Sequence, residues 1–272
     1  MFAVFAFYRF TPLADVVGMR SDILAFCREN GVKGTLLLAE EGINATVAGE
    51  EGAVADLKRF LCAFPGLEGL TGKTSYASVM PFEKMKVRLK AEIVRMDAGP
   101  LCQEDIGDYV PPSAWDAVLG DPNTVVIDTR NEYETRIGRF KGAIAPDTRN
   151  FRDFPEWAEQ WATSVDREKR VAMYCTGGIR CEKSTAFMRR LGFKNVAHLQ
   201  GGILQYIEDT ANASGAWEGD CFVFDGRAAV DDVLAPTDRV RCELCGEKAT
   251  ADSLKYGKPR EIRCESCVSI FT

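Results

Sequence analysis

Histidine is nearly missing: His198 stands alone among 272 residues. An iron centre of two histidines and a carboxylate is therefore excluded, and so is a mixed cysteine and histidine zinc site in the tail. No Gly-x-Gly-x-x-Gly run is present, so the chain lacks a flavin or NAD signature. No apolar run approaches the roughly 18 residues of a membrane span. The opening MFAVFAFYRF is interrupted by Arg9 and shows neither a basic lead nor a small-residue cleavage site, so no secretory signal is expected. Positive charge is also short, with 34 Lys and Arg against 40 Asp and Glu and a formal net charge of -6. That balance excludes a bulk polyanion binder and leaves room for local basic patches. Together these features predict a cytoplasmic chain with no membrane contact.

Hydrophobic residues, in contrast, make up 46% of the chain, enough for two or more packed domains. Ten cysteines in a chain without an expected leader point to thiol chemistry and metal binding rather than a disulfide framework. Over residues 1–96 the pattern runs strand (Phe2 to Phe7), helix (Val16, Val17, Ile23, Leu24, Cys27, closed by Gly31), strand (Gly34 to Ala39) and strand (Ile43 to Val47). A second helix (Val54, Leu57, Phe60, Leu61) and a last strand, KMKVRLKAEIV, complete it. This order predicts an α+β domain of ferredoxin-like, or acylphosphatase-like, arrangement. In the last strand Lys84, Lys86, Arg88 and Lys90 alternate with Met85, Val87, Leu89 and Ala91, giving one basic and one apolar face. A solvated sheet face and an RNA-backbone contact both fit that face.

The stretch DAGPLCQEDIGDYVPPS breaks periodicity and reads as a linker over 97–112. Over 113–215, the continuously apolar strands VVIDTR, VAMYC and NVAHLQGG alternate with helices, which predicts a parallel α/β sheet. Ligands of such sheets bind beyond the carboxyl ends of the strands, where Asp128 and Cys175 fall. A C-terminal module over 216–272 carries Cys242 and Cys245, then Cys264 and Cys267, two CxxC pairs separated by 18 residues. Four thiolates at that spacing suit tetrahedral structural zinc.

The segment MYCTGGIRCEKS sets Cys175 behind a strand and ahead of paired glycines and a helix. The free amides and positive dipole end of that helix favour an anion on the cysteine, and Thr176, Gly177, Gly178 and Ile179 can bring amides close to it. A thiolate so placed is the reactive species. Arg180 ends the loop and suits anion recognition, or alternatively pairs with Glu182 or Asp128. Cys181 either resolves an oxidised sulfur as a disulfide or packs as a plain thiol. Asp128 and Arg130 read as supports of the loop, and His198 as a satisfied strand histidine. The aromatics Phe151, Phe154, Trp157 and Trp161 either pack over the sheet or stack RNA bases.

Only four residues separate Cys175 from Arg180, one fewer than the ring of a cysteine phosphatase needs, and the tighter loop resembles that of rhodanese domains. VVIDTRNEYE and IGRFKGAIAP extend the likeness, with Phe140 where a histidine is usual. The longer run IGRFKGAIAPDTRNFRDFPEW, together with LLLAEEGINATVAG, PFEKMKVRLKAEIV, CFVFDGR and the four tail cysteines, resembles the rhodanese-fold tRNA uridine 5-hydroxylases over nearly the whole chain. The resemblance implies oxygen-dependent conversion of wobble uridine to 5-hydroxyuridine. It implies molecular oxygen as co-substrate, the tRNA anticodon region as partner, and Cys175 as the essential cysteine, in the rhodanese manner a persulfide carrier. Two other functions fit the residues: a sulfurtransferase passing sulfur from Cys175 to a small acceptor or protein, and an RNA-binding or persulfide-sensing module.

Overall fold

A computed structural model describes residues 1–237 together with Cys242, Cys245, Glu247 and Cys267. Two compact units are present, residues 1–95 with 224–226, and residues 96–223 with 227–272. No helix among the described residues is long and apolar enough to cross a membrane.

The first unit runs β1 (Phe2–Phe10), α1 (Val16–Glu29), β2 (Lys33–Ala39), β3 (Gly42–Gly49), α2 (Glu51–Cys62), β4 (Lys73–Ala77) and β5 (Met85–Leu89). Its sheet has the order β4-β1-β3-β2-β5. The first four strands in that order form the expected ferredoxin-like sheet, with β1 antiparallel to both β3 and β4. The identity of its last strand differs from the sequence reading. KTSYA, β4, closes the motif, and the basic segment is an additional strand that pairs parallel with β2 at the opposite edge. KTSYA escapes a periodicity reading because only Ala77 of its five residues is fully buried.

The helices hold this sheet through one stripe each. Met19, Ile23 and Cys27 are buried on α1, and Val54, Leu57 and Leu61 on α2, spaced by three and four residues. They pack on Phe5, Phe7, Leu36, Leu38, Ile43 and Val47. Each fully buried aliphatic or aromatic side chain contributes about 1.5–3 kcal/mol. Val17, expected on the buried stripe of α1, is 63% exposed, because the stripe follows Met19 instead.

The second unit runs β6 (Asp108–Val110), α3 (Pro112–Leu119), β7 (Thr124–Asp128), α4 (Glu132–Thr135), β8 (Gly138–Phe140), α5 (Phe154–Ala162), β9 (Arg170–Tyr174), α6 (Ile179–Arg190), β10 (Val196–Leu199) and α7 (Gly202–Thr210). Short strands β11 (Trp217–Gly219), β12 (Cys221–Phe222) and β13 (Ala229–Val230) follow. The main sheet, order β6-β10-β9-β7, is parallel throughout. Apart from Arg170 at its entry, β9 is buried, as is all of β10, because helices cover both faces; this is why these strands read as unbroken apolar runs. Part of the segment read as a linker is structural: Asp108, Tyr109 and Val110 pair with β10 as an edge strand. Likewise β11 pairs with β8, so the chain past residue 215 remains tied to the second unit.

Phe140 lies in an aromatic cage, with ring centroids 4.8 Å from Tyr174, 4.8 Å from Tyr206 and 5.2 Å from Trp217. It is a core residue with no polar role. Phe151 and Phe154 are likewise buried, whereas Trp157 and Trp161 are half-buried and stack on each other at 5.6 Å, the run ending on Phe193. Packing thus accounts for the two phenylalanines, and the tryptophans keep part of their faces free. His198 is a strand residue, as expected, but not a satisfied one. Both ring nitrogens are buried without a hydrogen-bond partner, and burial pushes the imidazole down to about 4, so it stays neutral.

Candidate active site

Cys175 follows the last residue of β9, and α6 begins four residues later. Gly178 makes the turn possible. It is the N-cap of α6 with φ 98°, a left-handed conformation that residues with a Cβ rarely adopt. Its amide donates to Cys175 Sγ at 3.1 Å, and the amide of Arg180 reaches the same sulfur. The cradle is narrower than four loop residues: Thr176 turns its hydroxyl to Glu134 Oε1 at 3.3 Å instead.

The back of the loop is held by α7. Ile203 donates to the carbonyl of Cys175 at 3.0 Å and Leu204 to that of Thr176 at 3.1 Å. Gly202 makes this approach possible, since a Cβ there would stand 2.4 Å from the Cys175 carbonyl oxygen, at a φ of +65°. The QGG at 200–202 was visible in the sequence, but its role depends on a contact that only the fold creates.

Beneath the loop lie two buried ion pairs. Arg180 donates to Glu134 Oε2 at 2.8 Å and Oε1 at 2.7 Å, a two-pronged pair that uses the planar guanidinium fully. Its carboxylate partner is thus Glu134, neither of the two expected, Glu182 and Asp128. Asparagine 131 fixes Glu134 from the other side, its backbone amide donating to Oε2 at 3.1 Å. Asp128 is committed to Arg130, which donates to it from Nε at 2.9 Å and from Nη2 at 2.6 Å. Arg130 also binds the Gly138 carbonyl at 2.6 Å. Asp128 is therefore held at the strand end by Arg130. Arg180 acts on Cys175 through its charge and its backbone amide.

Burial alone would raise the Cys175 thiol. The hydrogen bond from the Cys181 thiol, the Arg180 charge and the amides of Arg180 and Gly178 outweigh it and bring the group down to about 6. At neutral pH this sulfur is largely a thiolate, a nucleophile at the carboxyl end of a parallel sheet. Cys181 moves the opposite way, pushed up by burial and by the neighbouring Cys175.

In the tail, the sulfurs of Cys242, Cys245 and Cys267 all lie within 4.8 Å of one another, with Cys267 and Cys245 at 3.6 Å. A tetrahedron with metal–sulfur bonds of about 2.3 Å has edges of about 3.8 Å, so these three thiols fit one soft metal ion. Cys264, the fourth expected ligand, lies outside the described residues. Lys84, Arg88 and Lys90 are exposed on or beside β5 and Lys86 is half-buried. Val87 is the buried member of the alternation, while Leu89 is 41% exposed at this sheet edge.

A parallel sheet that delivers a cysteine into an amide-lined loop before a helix defines a rhodanese-like domain, here joined to an acylphosphatase-like one. Residues 2–93 match the UPF0176 acylphosphatase like domain, and residues 112–209 the Rhodanese-like domain. A tRNA uridine(34) hydroxylase of Wolbachia pipientis subsp. Culex pipiens is 50% identical over 269 residues, covering 99% of this chain and 95% of that protein. One from Anaplasma phagocytophilum is 50% identical over 269 residues, covering 98% and 96%. One from Brucella canis is 48% identical over 270 residues, covering 98% and 88%. The chain belongs to the tRNA uridine(34) hydroxylase family.

Proposed function

We propose that this chain is an oxidoreductase that hydroxylates uridine 34 of tRNA at C5 with molecular oxygen, and that the Cys175 thiolate is its nucleophile. The observation that carries the reading is the Cys175 sulfur held by the Gly178 amide at 3.1 Å within the field of Arg180. The relatives named as tRNA uridine(34) hydroxylases match over nearly their whole length and support the substrate.

Attack of the thiolate on C6 of the uracil ring makes a C–S bond and moves the double-bond electrons toward C5. Dioxygen adds to C5 as a hydroperoxide, and two electrons and two protons from an external reductant cleave its O–O bond, one oxygen staying at C5 as the hydroxyl and the other leaving as water. Loss of the C5 proton with expulsion of the thiolate restores the aromatic ring and frees Cys175. Because Cys175 is 1% exposed, the base must be extruded from its stack and whatever covers the sulfur must move aside. Gly178 and Arg180 stabilise the sulfur anion before attack and after expulsion, while Thr176, Gly177 and Ile179 shape the loop. Glu134, Asp128 and Arg130 position it.

Lys84, Lys86, Arg88 and Lys90 contact the phosphate backbone of the anticodon arm, a positioning contact without sequence information. Cys242, Cys245, Cys264 and Cys267 hold one structural zinc; a closed set of four thiolates leaves no open position for substrate. The enzyme works in the cytoplasm, where its tRNA is found.

Nucleoside mass spectrometry of unmodified tRNA incubated with the protein in air tests the reading, beside a Cys175→Ser variant and an oxygen-free control. The expected result is 5-hydroxyuridine only with intact Cys175 and oxygen. Turnover of thiosulfate with no new nucleoside would replace this reading with that of a sulfurtransferase.

A further inference from the structure

The two glycines of the reactive loop are not equivalent. Gly178 is required by the left-handed turn into α6. Gly177 lies outside the left-handed region, and a Cβ built on it would meet no heavy atom of the described residues within 4 Å beyond its chain neighbours. Neither the backbone nor the packing therefore calls for glycine at 177. An alanine there would also narrow the freedom of the unfolded chain, so the glycine forgoes stability. What it keeps is empty space.

That space lies on the side of the loop that remains open. Thr176, Gly178 and Arg180 are buried, and within the loop only Gly177 and Ile179 reach solvent. The rear is closed by α7, where a Cβ on Gly202 would stand 2.6 Å from the Thr176 carbonyl oxygen and 2.8 Å from the Gly177 nitrogen. Beneath, Glu134 accepts from the Thr176 hydroxyl at 3.3 Å and from both arms of Arg180. Cys175 is 1% exposed, and none of its atoms lies within 4 Å of the place a Gly177 Cβ would take. A route to the sulfur that leaves the rear and the base of the loop intact passes over Gly177.

We propose that Gly177 is the substrate-positioning residue of this site, the bare strip of backbone over which the flat uracil ring is laid onto the Cys175 sulfur. This rests on Cys175 being the nucleophile. A thiolate adds to C6 from above the ring plane, with the reacting atoms about 3–3.5 Å apart. The ring must then lie flat against the outer side of the loop, and a six-membered ring centred near the sulfur extends over the residues beside it. A side chain at 177 would project into the layer that the ring occupies. Glycine leaves only peptide planes and a Cα hydrogen there, a surface that a planar base can lie against.

The test is alkylation of Cys175 in the full-length protein without tRNA, by iodoacetamide, which is small, and by N-ethylmaleimide, whose planar ring stands in for uracil. Trypsin cuts after Arg170 and Arg180, so Cys175 is read alone in the peptide VAMYCTGGIR. In Gly177→Leu the N-ethylmaleimide rate is expected to fall about tenfold relative to the iodoacetamide rate, with a smaller fall in Gly177→Ala. Thermal unfolding checks the fold: Gly177→Ala should melt at the wild-type temperature or about 1–4 °C above it. An unchanged ratio of the two rates in Gly177→Leu overturns the proposal, and so does a wild-type Cys175 that neither reagent reaches. A Gly177→Ala protein that melts well below the wild type overturns it too, since the glycine would then serve the fold. On tRNA, Gly177→Leu should lose turnover by about a hundredfold while its Cys175 still reacts with iodoacetamide. Formation of 5-hydroxyuridine by that variant at the wild-type rate would contradict the proposal. Alkylation involves no turnover, so failure of the hydroxylase reading would show separately, as a wild-type protein with size-selective Cys175 and no new nucleoside.

Discussion

Glu134→Ala should be the most damaging single substitution near the loop that leaves Cys175 itself in place. Glu134 is fully buried and Arg180 is 7% exposed in the side chain, so truncation leaves a guanidinium in the interior without its two bonds of 2.8 and 2.7 Å. Breaking a buried pair from one side costs about 3–5 kcal/mol. At about 2–4 °C per kcal/mol for a chain of this size, the transition of the second unit should fall by roughly 10 °C or more. The assay is thermal unfolding by circular dichroism, with the two units resolved, because a chain of two units need not melt in one step. Glu134→Gln, which keeps the shape and one acceptor oxygen, should fall less. The pH dependence has a defined sign. Burial would raise the Glu134 carboxyl, but Arg180 outweighs it and holds the group below its ordinary 4.5. Its contribution to stability is therefore fully present above about that value and is lost as pH falls through the depressed folded value. Glu134→Gln should flatten this acid limb. A loss under about 2 °C for Glu134→Ala would refute the claim that this pair anchors the loop.

Gly202→Ala places a Cβ against the carbonyl of Cys175 at a φ of +65°, so it should lower stability by about 1–3 kcal/mol; turnover should fall with it, read as kcat on tRNA. Elemental analysis should find one zinc per chain, lost in Cys242→Ser and Cys267→Ser but retained in Cys175→Ser. Lys86→Glu and Arg88→Glu should each weaken tRNA binding several-fold. Each should also make the slope of log affinity against log salt shallower by about 0.7–0.9, as expected when one phosphate contact is lost.

What could be read from the chain alone follows the range of the forces involved. The reactive loop was legible because its chemistry is local: Cys175, the glycine turn and the helix start are consecutive, and a sulfur there meets amides whatever surrounds it. The parallel sheet was legible because β9 and β10 are covered on both faces, which leaves an unbroken apolar imprint. The partner of Arg180 was not, since Glu134 is 46 positions away and Glu182 and Asp128 read equally well. KTSYA, a strand with a single fully buried residue, leaves too faint an imprint in the sequence, while the basic segment after it alternates so cleanly that it reads as the closing strand. Gly202 carries no mark of its task either, because a close backbone approach is a property of two segments and not of one.

Turnover under ¹⁸O₂, with tRNA bearing uridine 34 and with a control tRNA carrying cytidine there, tests the central claim most directly. Cys175 as nucleophile predicts a 5-hydroxyuridine that carries one heavy oxygen, at position 34 only, and none from Cys175→Ser. An unlabelled product, or labelled product made by Cys175→Ser, would contradict it.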